Sequence, residues 1–343
     1  VVAFAVYPFG AALFRAAEIP KRLLPGAIAL GAFTLTMDAL PGSPQIQNLI
    51  PTRYFGTDIY AAPLLGITGG GFILLAGLLW LEVRRARAER SGEGYGLGHR
   101  NEPEERASDA QPHLLLAILP LVLVLAVNLL LSRTSWTVAH WYSDALLVAR
   151  FPLTKVQTAA PTWALISALL VGIAAVLVVG GGRLRGRCST ALSVATAGAL
   201  LAIFNTASEV GYGTVIKTLP GFAAIRDMLL GSSQNVLMSE AVAVNILSGI
   251  TGSASGGLSI ALEVMGRHYL EAAHAQGISP ELLHRIAAMA SGGLDTLPHN
   301  GAVITLLAIT GLTHRQSYPD IFAITVIKTL TVFALAAIMP WLS

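Results

Sequence analysis

Apolar residues run through this chain in blocks parted by short polar interruptions, at approximately 1–14, 26–37, 61–81, 114–131, 162–180, 191–204, 235–250, 257–265, 286–294, 301–312 and 320–342. Blocks near 20 residues are long enough to cross a bilayer as a helix. The blocks at 26–37, 191–204, 257–265, 286–294 and 301–312 are too short to do so alone, and Gly, Pro and polar residues break them up. Such pieces predict discontinuous or re-entrant helices. Two of the interruptions read alike: Thr36-Met37-Asp38-Ala39-Leu40-Pro41 and Gly293-Leu294-Asp295-Thr296-Leu297-Pro298. Proline removes an N–H from the helical ladder, and a carboxylate at membrane depth needs a partner or water. The repeated break predicts two related halves, each opening a helix inside the membrane.

Composition points the same way. Of 343 residues, 54% are hydrophobic and 12% charged, against roughly 25% charged in a soluble domain. Long unbroken apolar runs predict an all-α polytopic membrane protein rather than a barrel of short alternating strands. The formal net charge of +3 does not indicate nucleic acid, because the basic residues gather at the ends of apolar blocks, where they set topology. The single cysteine, Cys188, excludes an intrachain disulfide and offers no metal cluster; no cofactor is expected. Val1 already lies in an apolar run, which reads as a chain that has lost its N-terminus.

Four regions follow. Residues 1–81 form a first transport core, 82–113 a hydrophilic linker, 114–188 scaffold spans and 189–343 a second core. Arg84, Arg85, Arg87 and Arg90 place the linker on the cytoplasmic side, and its composition reads as a solvated connection between halves. Residues 132–161 then fall outside, with Trp136, Trp141, Tyr142 and Trp163 as an interfacial belt. The breaks at Asp38 and Asp295 would lie in crossings of opposite sense, an inverted repeat.

Four constellations carry candidate chemistry. In Ser291-Gly292-Gly293-Leu294-Asp295-Thr296-Leu297-Pro298-His299-Asn300-Gly301, the glycines permit close backbone approach and a new helix starts after the proline. Its free N–H groups suit a carboxylate substrate, with Thr296, His299 and Asn300 as further contacts. Asp295 and His299 are proton carriers by chemistry; the plainer alternative is a capping Asp and a satisfied core His. After Asp38, another proton candidate, Ser43, Gln45 and Asn48 offer hydroxyl and amide groups to a polyol or hydroxy acid, or simply cap a broken helix. The stretch Ser248-Gly249-Ile250-Thr251-Gly252-Ser253-Ala254-Ser255-Gly256-Gly257 reads as a hairpin tip offering Thr251, Ser253 and Ser255, or as close helix packing. Glu209, in Asn205-Thr206-Ala207-Ser208-Glu209-Val210-Gly211, is a fourth proton candidate or half of an ion pair.

At these residues the chain resembles the gluconate:proton symporter (GntP) family of bacterial inner-membrane permeases. SGGLDTLPHNGAVITLL (Ser291 to Leu307) carries most of the resemblance, supported by GSASGGLSIAL (Gly252 to Leu262) and NTASEVGYGTVI (Asn205 to Ile216). The resemblance implies a fold like the ion-transporter superfamily, with inverted repeats and re-entrant hairpins, in a multi-pass inner-membrane protein importing a small organic anion such as gluconate with protons; the spans at 114–180 are the expected scaffold and the contact of a homodimer. Gluconate permeases share a histidine-bearing proline motif where this chain has Pro41-Gly42-Ser43-Pro44-Gln45, so a short hydroxy acid fits as well as gluconate. Three other readings stand beside it: sodium coupling, an intramembrane aspartyl protease built on the two aspartates, and a passive channel.

Overall fold

The computed structural model describes residues 2–103, 114–133, 156–184, 188–221, 224, 227–228 and 235–341. Every regular element among them is helical. They divide into two compact units, Val1–Glu104 with Ala202–Ser343, and Glu105–Leu201.

In the first unit, α1 (Val2–Ala16) leads through a 3₁₀ turn (Lys21–Leu23) into α2 (Leu24–Leu30), which widens into a π-helix at Gly31–Ala39. After the break come two short helices, α3 (Ile46–Leu49) and α4 (Thr52–Phe55), then the long α5 (Pro63–Arg90). The second half of the unit has a break of its own. Helix α11 (Pro280–Ser291) stops, a 3₁₀ turn holds Leu294–Thr296, and the short α12 (Gly301–Thr310) leads into the long α13 (His314–Ile338). Ahead of it lies a helical hairpin of α9 (Val236–Thr251) and α10 (Ala254–Ala275). The hairpin tip is local chemistry: Gly252 turns left-handed at φ 65°, and the Ser253 hydroxyl accepts from the Gly256 N–H to cap α10.

The second unit holds α6 (Leu114–Arg133) packed on α7 (Val156–Leu184) and the start of α8 (Cys188–Lys217). Among the described residues, three helical stretches, Pro63–Arg90, Thr162–Gly181 and His314–Trp341, are long and apolar enough to cross a membrane. Their outward side chains, such as Leu64, Phe72, Leu79, Val178 and Leu330, are exposed apolar groups of the kind lipid covers. Because lipid is as apolar as leucine, association here rests on close packing and buried polar bonds more than on the hydrophobic effect.

Two expectations need correcting. The block 191–204 does not stop before the polar cluster at 205–213: α8 runs unbroken through it. That cluster has Gly211 and Gly213 but no proline, and glycine weakens a helix without removing a rung from its ladder. Nor is 257–265 an isolated short piece, since α10 extends it to 22 residues. The aromatic candidates Trp136, Trp141 and Tyr142 lie outside the described residues.

The hydrophilic stretch begins as helix, because α5 continues to Arg90. Residues 91–103 then fold back as a strap. Arg22 donates to Glu93 at 2.6 and 2.8 Å, buried Lys21 donates to the Arg100 carbonyl at 2.8 Å and to Glu102 at 2.6 Å, and Arg15 also pairs with Glu102. Asn101 takes the Tyr7 hydroxyl on its carbonyl at 2.7 Å and donates its side chain to the Ala308 carbonyl of α12 at 2.8 Å. Burial pushes the Glu102 carboxyl up, but Lys21, Arg15 and Tyr95 outweigh it and hold it below the usual range.

Candidate functional site

The first break is made by hydroxyls that loosen the helix before a proline ends it. Thr34 bonds back to the Leu30 carbonyl, the Thr36 hydroxyl donates to the Gly31 carbonyl at 2.9 Å, and the Leu40 N–H reaches Leu35 at 3.0 Å, five residues back. Five-residue closure is the π pattern, frequent where a helix serves a site. Pro41 follows and supplies no N–H. At the end of this widened turn Asp38 is fully buried and accepts a hydrogen bond from Lys328 of α13, itself fully buried. Lys328 also donates to the Phe33 carbonyl at 3.0 Å, so one ammonium holds both ends of the π turn.

The second break supplies the floor of this cluster. A methyl group on Gly292 would lie 1.8 Å from Lys328 Nζ and 2.2 Å from Asp38 Oδ2; one on Gly293 would lie 1.9 Å from Asn245 Nδ2. The ion pair therefore sits directly on the backbone of the second break, which is the physical reason for two glycines there. Asp295 follows in the 3₁₀ turn, 5% exposed and within electrostatic reach of both Lys328 and Asp38. One lysine thus bonds the aspartate of the first break and lies within electrostatic reach of the aspartate of the second. Among the described residues Asp38 Oδ1, Asp295 Oδ1, Asn245 Oδ1, Ser248 Oγ and Thr329 Oγ1 have no hydrogen-bond partner. Buried polar atoms without partners mark a place built for something other than its own stability.

A second buried cation ties the loop after the first break to α11. Arg285 donates to the carbonyls of Ala61 (3.1 and 2.9 Å), Ile59 (3.1 Å) and Asp38 (2.9 Å) and to Asn48 Oδ1 (2.9 Å). His284 meets Asn48 Oδ1 at 3.2 Å and the Thr57 hydroxyl at 2.6 Å. The planar guanidinium makes these bonds at once, which a lysine in its place has no fork to do.

The structure brings Asp38, Asp295, Thr296, His299, Asn300 and the hairpin tip into one region. His299 Nε2 lies 3.0 Å from the Gly249 carbonyl, and the Asn300 amide donates to the Gly252 carbonyl at 2.5 Å. Asn300 also caps α12, accepting from the N–H groups of Ala302 and Val303 at 2.6 and 3.2 Å. Thr296 bonds Thr325 at 2.5 Å and the Gly293 carbonyl at 3.0 Å. Thr251 bonds the Leu247 carbonyl at 2.8 Å, and Ser253 and Ser255 lie 3.4 Å apart beside it. Ser43, Gln45 and Asn48 lie on the loop that Arg285 gathers, and Arg285 joins Asn48 to the Asp38 carbonyl. Ser43 bonds the Thr36 carbonyl, Asn48 reaches Ser43 and Ile59 as well as Arg285, and Gln45 is half-buried at the start of α3. The side chain of Glu209 lies outside the described residues.

Sequence reasoning missed Lys328, Arg285, His284, Asn245, Thr325 and Glu240. Lys328 and Glu240 did carry a signal: Glu240 is the sole charged residue of the block 235–250, and Lys328 the sole one inside 320–342 beyond Asp320 at its edge. Arg285 carried none, because most of its acceptors are backbone carbonyls.

The chain is 50% identical, over a 351-residue alignment covering 98% of it and 74% of the relative, to the "Uncharacterized transporter YxjC" of Bacillus subtilis (strain 168). No family model matches the chain, and no solved structure does.

Proposed function

The chain belongs to the transporter family of the Bacillus subtilis protein, and from that premise we propose that it is a proton-coupled symporter importing a small organic anion. The reading rests on one observation: a single buried lysine bonded to Asp38 and within electrostatic reach of Asp295, at two matching helix breaks. With Asp38, Asp295, Lys328 and Arg285 all ionised, the formal charge of the region is zero. One proton on an aspartate leaves it at plus one, which a monocarboxylate such as gluconate or 3-hydroxybutyrate neutralises. Proton and anion then enter together, because either alone leaves an uncompensated charge in a dry interior. The centre is closed to solvent, so loading requires the breaks and the hairpin tip to move apart, the alternating access expected of paired broken helices. Inverted repeats, a homodimer, membership of the gluconate symporter family and the bacterial inner membrane belong to the same proposal.

A second reading has its own support. The unpartnered oxygens of Asp38, Asp295, Asn245 and Thr329 are the ligand type a hard cation takes, which favours sodium as the alternative coupling ion. The protease reading has no comparable support, since Asp38 is held by an ammonium rather than sharing a proton with the second carboxyl.

The test is uptake of labelled gluconate and 3-hydroxybutyrate into proteoliposomes under an imposed inward proton gradient without sodium, with and without Asp295→Asn. Gradient-dependent uptake that Asp295→Asn abolishes in correctly inserted protein is the expected result. Uptake driven by a sodium gradient alone, or proton-driven uptake untouched by Asp295→Asn, overturns the proposal.

A further inference from the structure

One fully buried carboxyl takes no part in this centre. Glu240 lies near the start of α9, 0% exposed, and among the described residues neither of its oxygens has a hydrogen-bond partner. An ionised carboxylate in such surroundings costs several kcal/mol, so the packing accommodates the neutral acid.

Among the described residues, nothing on the neighbouring helices bonds this carboxyl. From α10 the acting group is the neutral phenol of Tyr269, whose hydroxyl lies 3.5 Å from Met265 Sδ; Arg267 and Glu271 pair with each other, and Glu263, His268 and His274 complete its titratable groups. On α11, Arg285 and His284 bond the loop at 48–61, and Glu281 meets the Ala62 N–H at 3.1 Å. On α13, Lys328 holds Asp38 and Asp320 pairs with Arg84 at 2.7 Å, while His314 and Arg315 stand at its start. Asp295 belongs to the 3₁₀ turn that packs on the other end of α9.

A structural carboxyl holds something in place, and this one bonds no group among the described residues; an apolar side chain would fill the position at lower cost. What a carboxyl adds here is a proton. Five residues further along the same helix, Asn245 touches the glycine floor of the centre, and the helix ends in the hairpin tip. Helix α9 thus joins Glu240 to the elements whose movement loading requires.

We propose that Glu240 is a second proton-binding site of the transporter, carrying the neutral acid while the α9–α10 hairpin is packed against α11 and α13 and exchanging its proton with water when the hairpin moves away from them. The proposal rests on the transport reading but not on the identity of the substrate.

Infrared difference spectra of the full-length protein in lipid vesicles, wild type against Glu240→Gln at about pH 7, decide the protonation state without any transport assay. Loss of a protonated-carboxyl carbonyl band in the variant is expected; loss of carboxylate bands alone overturns the proposal. In proteoliposomes, Glu240→Gln should keep exchange of labelled gluconate or 3-hydroxybutyrate across the membrane and lose accumulation driven by a proton gradient. Unchanged gradient-driven accumulation beside a working wild type overturns it. If wild type itself shows no proton-driven uptake, the symport reading fails on its own and the spectra still judge Glu240. If neither Glu240→Gln nor Glu240→Leu folds, the residue is structural and the proposal falls.

Discussion

Replacing Lys328 by methionine tests the central ion pair most directly. The ammonium bonds Asp38 Oδ2 and the Phe33 carbonyl, both charged side chains are fully buried, and Asp38 Oδ1 has no partner to fall back on. Methionine fills similar volume but leaves a carboxylate in a dry interior with no donor, and breaking a buried pair in this way costs about 3–5 kcal/mol. Adding Asp38→Asn removes the stranded charge, and replacing both partners of a buried pair is close to neutral. The unfolding free energy of the purified protein in mixed micelles should therefore fall by about 3–5 kcal/mol in Lys328→Met and return to within about 1 kcal/mol of wild type in the double variant. Transport should be lost in both, because the reasoning makes the pair necessary for coupling. The argument is refuted if the two single costs simply add, or if Lys328→Met unfolds within about 0.5 kcal/mol of wild type.

Two further predictions concern the floor and the strap. Gly292→Ala should abolish the uptake proposed above, since its methyl lands 1.8 Å from Lys328 Nζ, whereas Gly71→Ala, with no atom within 4 Å of the added carbon, should leave it unchanged; equal activity of the two would sink the account of the glycine pair. The bond from Arg22 holds the Glu93 carboxyl below its ordinary range. That tie is therefore fully present above about pH 4.3, the value of a free glutamate, and is lost as pH falls through the lower folded value. Hydrogen exchange of 91–103, corrected for its intrinsic rate, should rise in acid for wild type and be high already at neutral pH in Glu93→Gln. Matching exchange in the two proteins at neutral pH would count against the tie.

What could be read from the sequence is what is local. A proline three residues beyond Asp38, glycines before Asp295 and a serine after Gly252 each act within one turn, so both breaks and the hairpin tip are visible as residues. The partner of Asp38 lies 290 residues away, and no spacing rule connects them. Arg285 was hidden for another reason, since the carbonyls it gathers belong to the backbone and leave no trace in residue type. The cluster around Glu209 looked like a break because it is polar, but polarity alone does not interrupt a helix as proline does. The strap was read as solvated linker for its mixed charges; its acids answer Arg15, Lys21 and Arg22, and such pairing shows only once the chain has folded back.

The strap has a mechanical consequence. Arg22 grips it at Glu93 and the Ala308 carbonyl of α12 grips it at Asn101, so it joins the first half of the core to the short helix behind the second break. The same end of the strap is held to the first half by Tyr7, Lys21 and Arg15. While Asn101 holds, the end of α12 is clamped; once that bond lets go, the strap stays with the first half and α12 comes free of it. The strap therefore behaves as a latch, resisting the first step of separation and setting no limit to the rest, so weakening it at Asn101 should ease that step while leaving the centre intact.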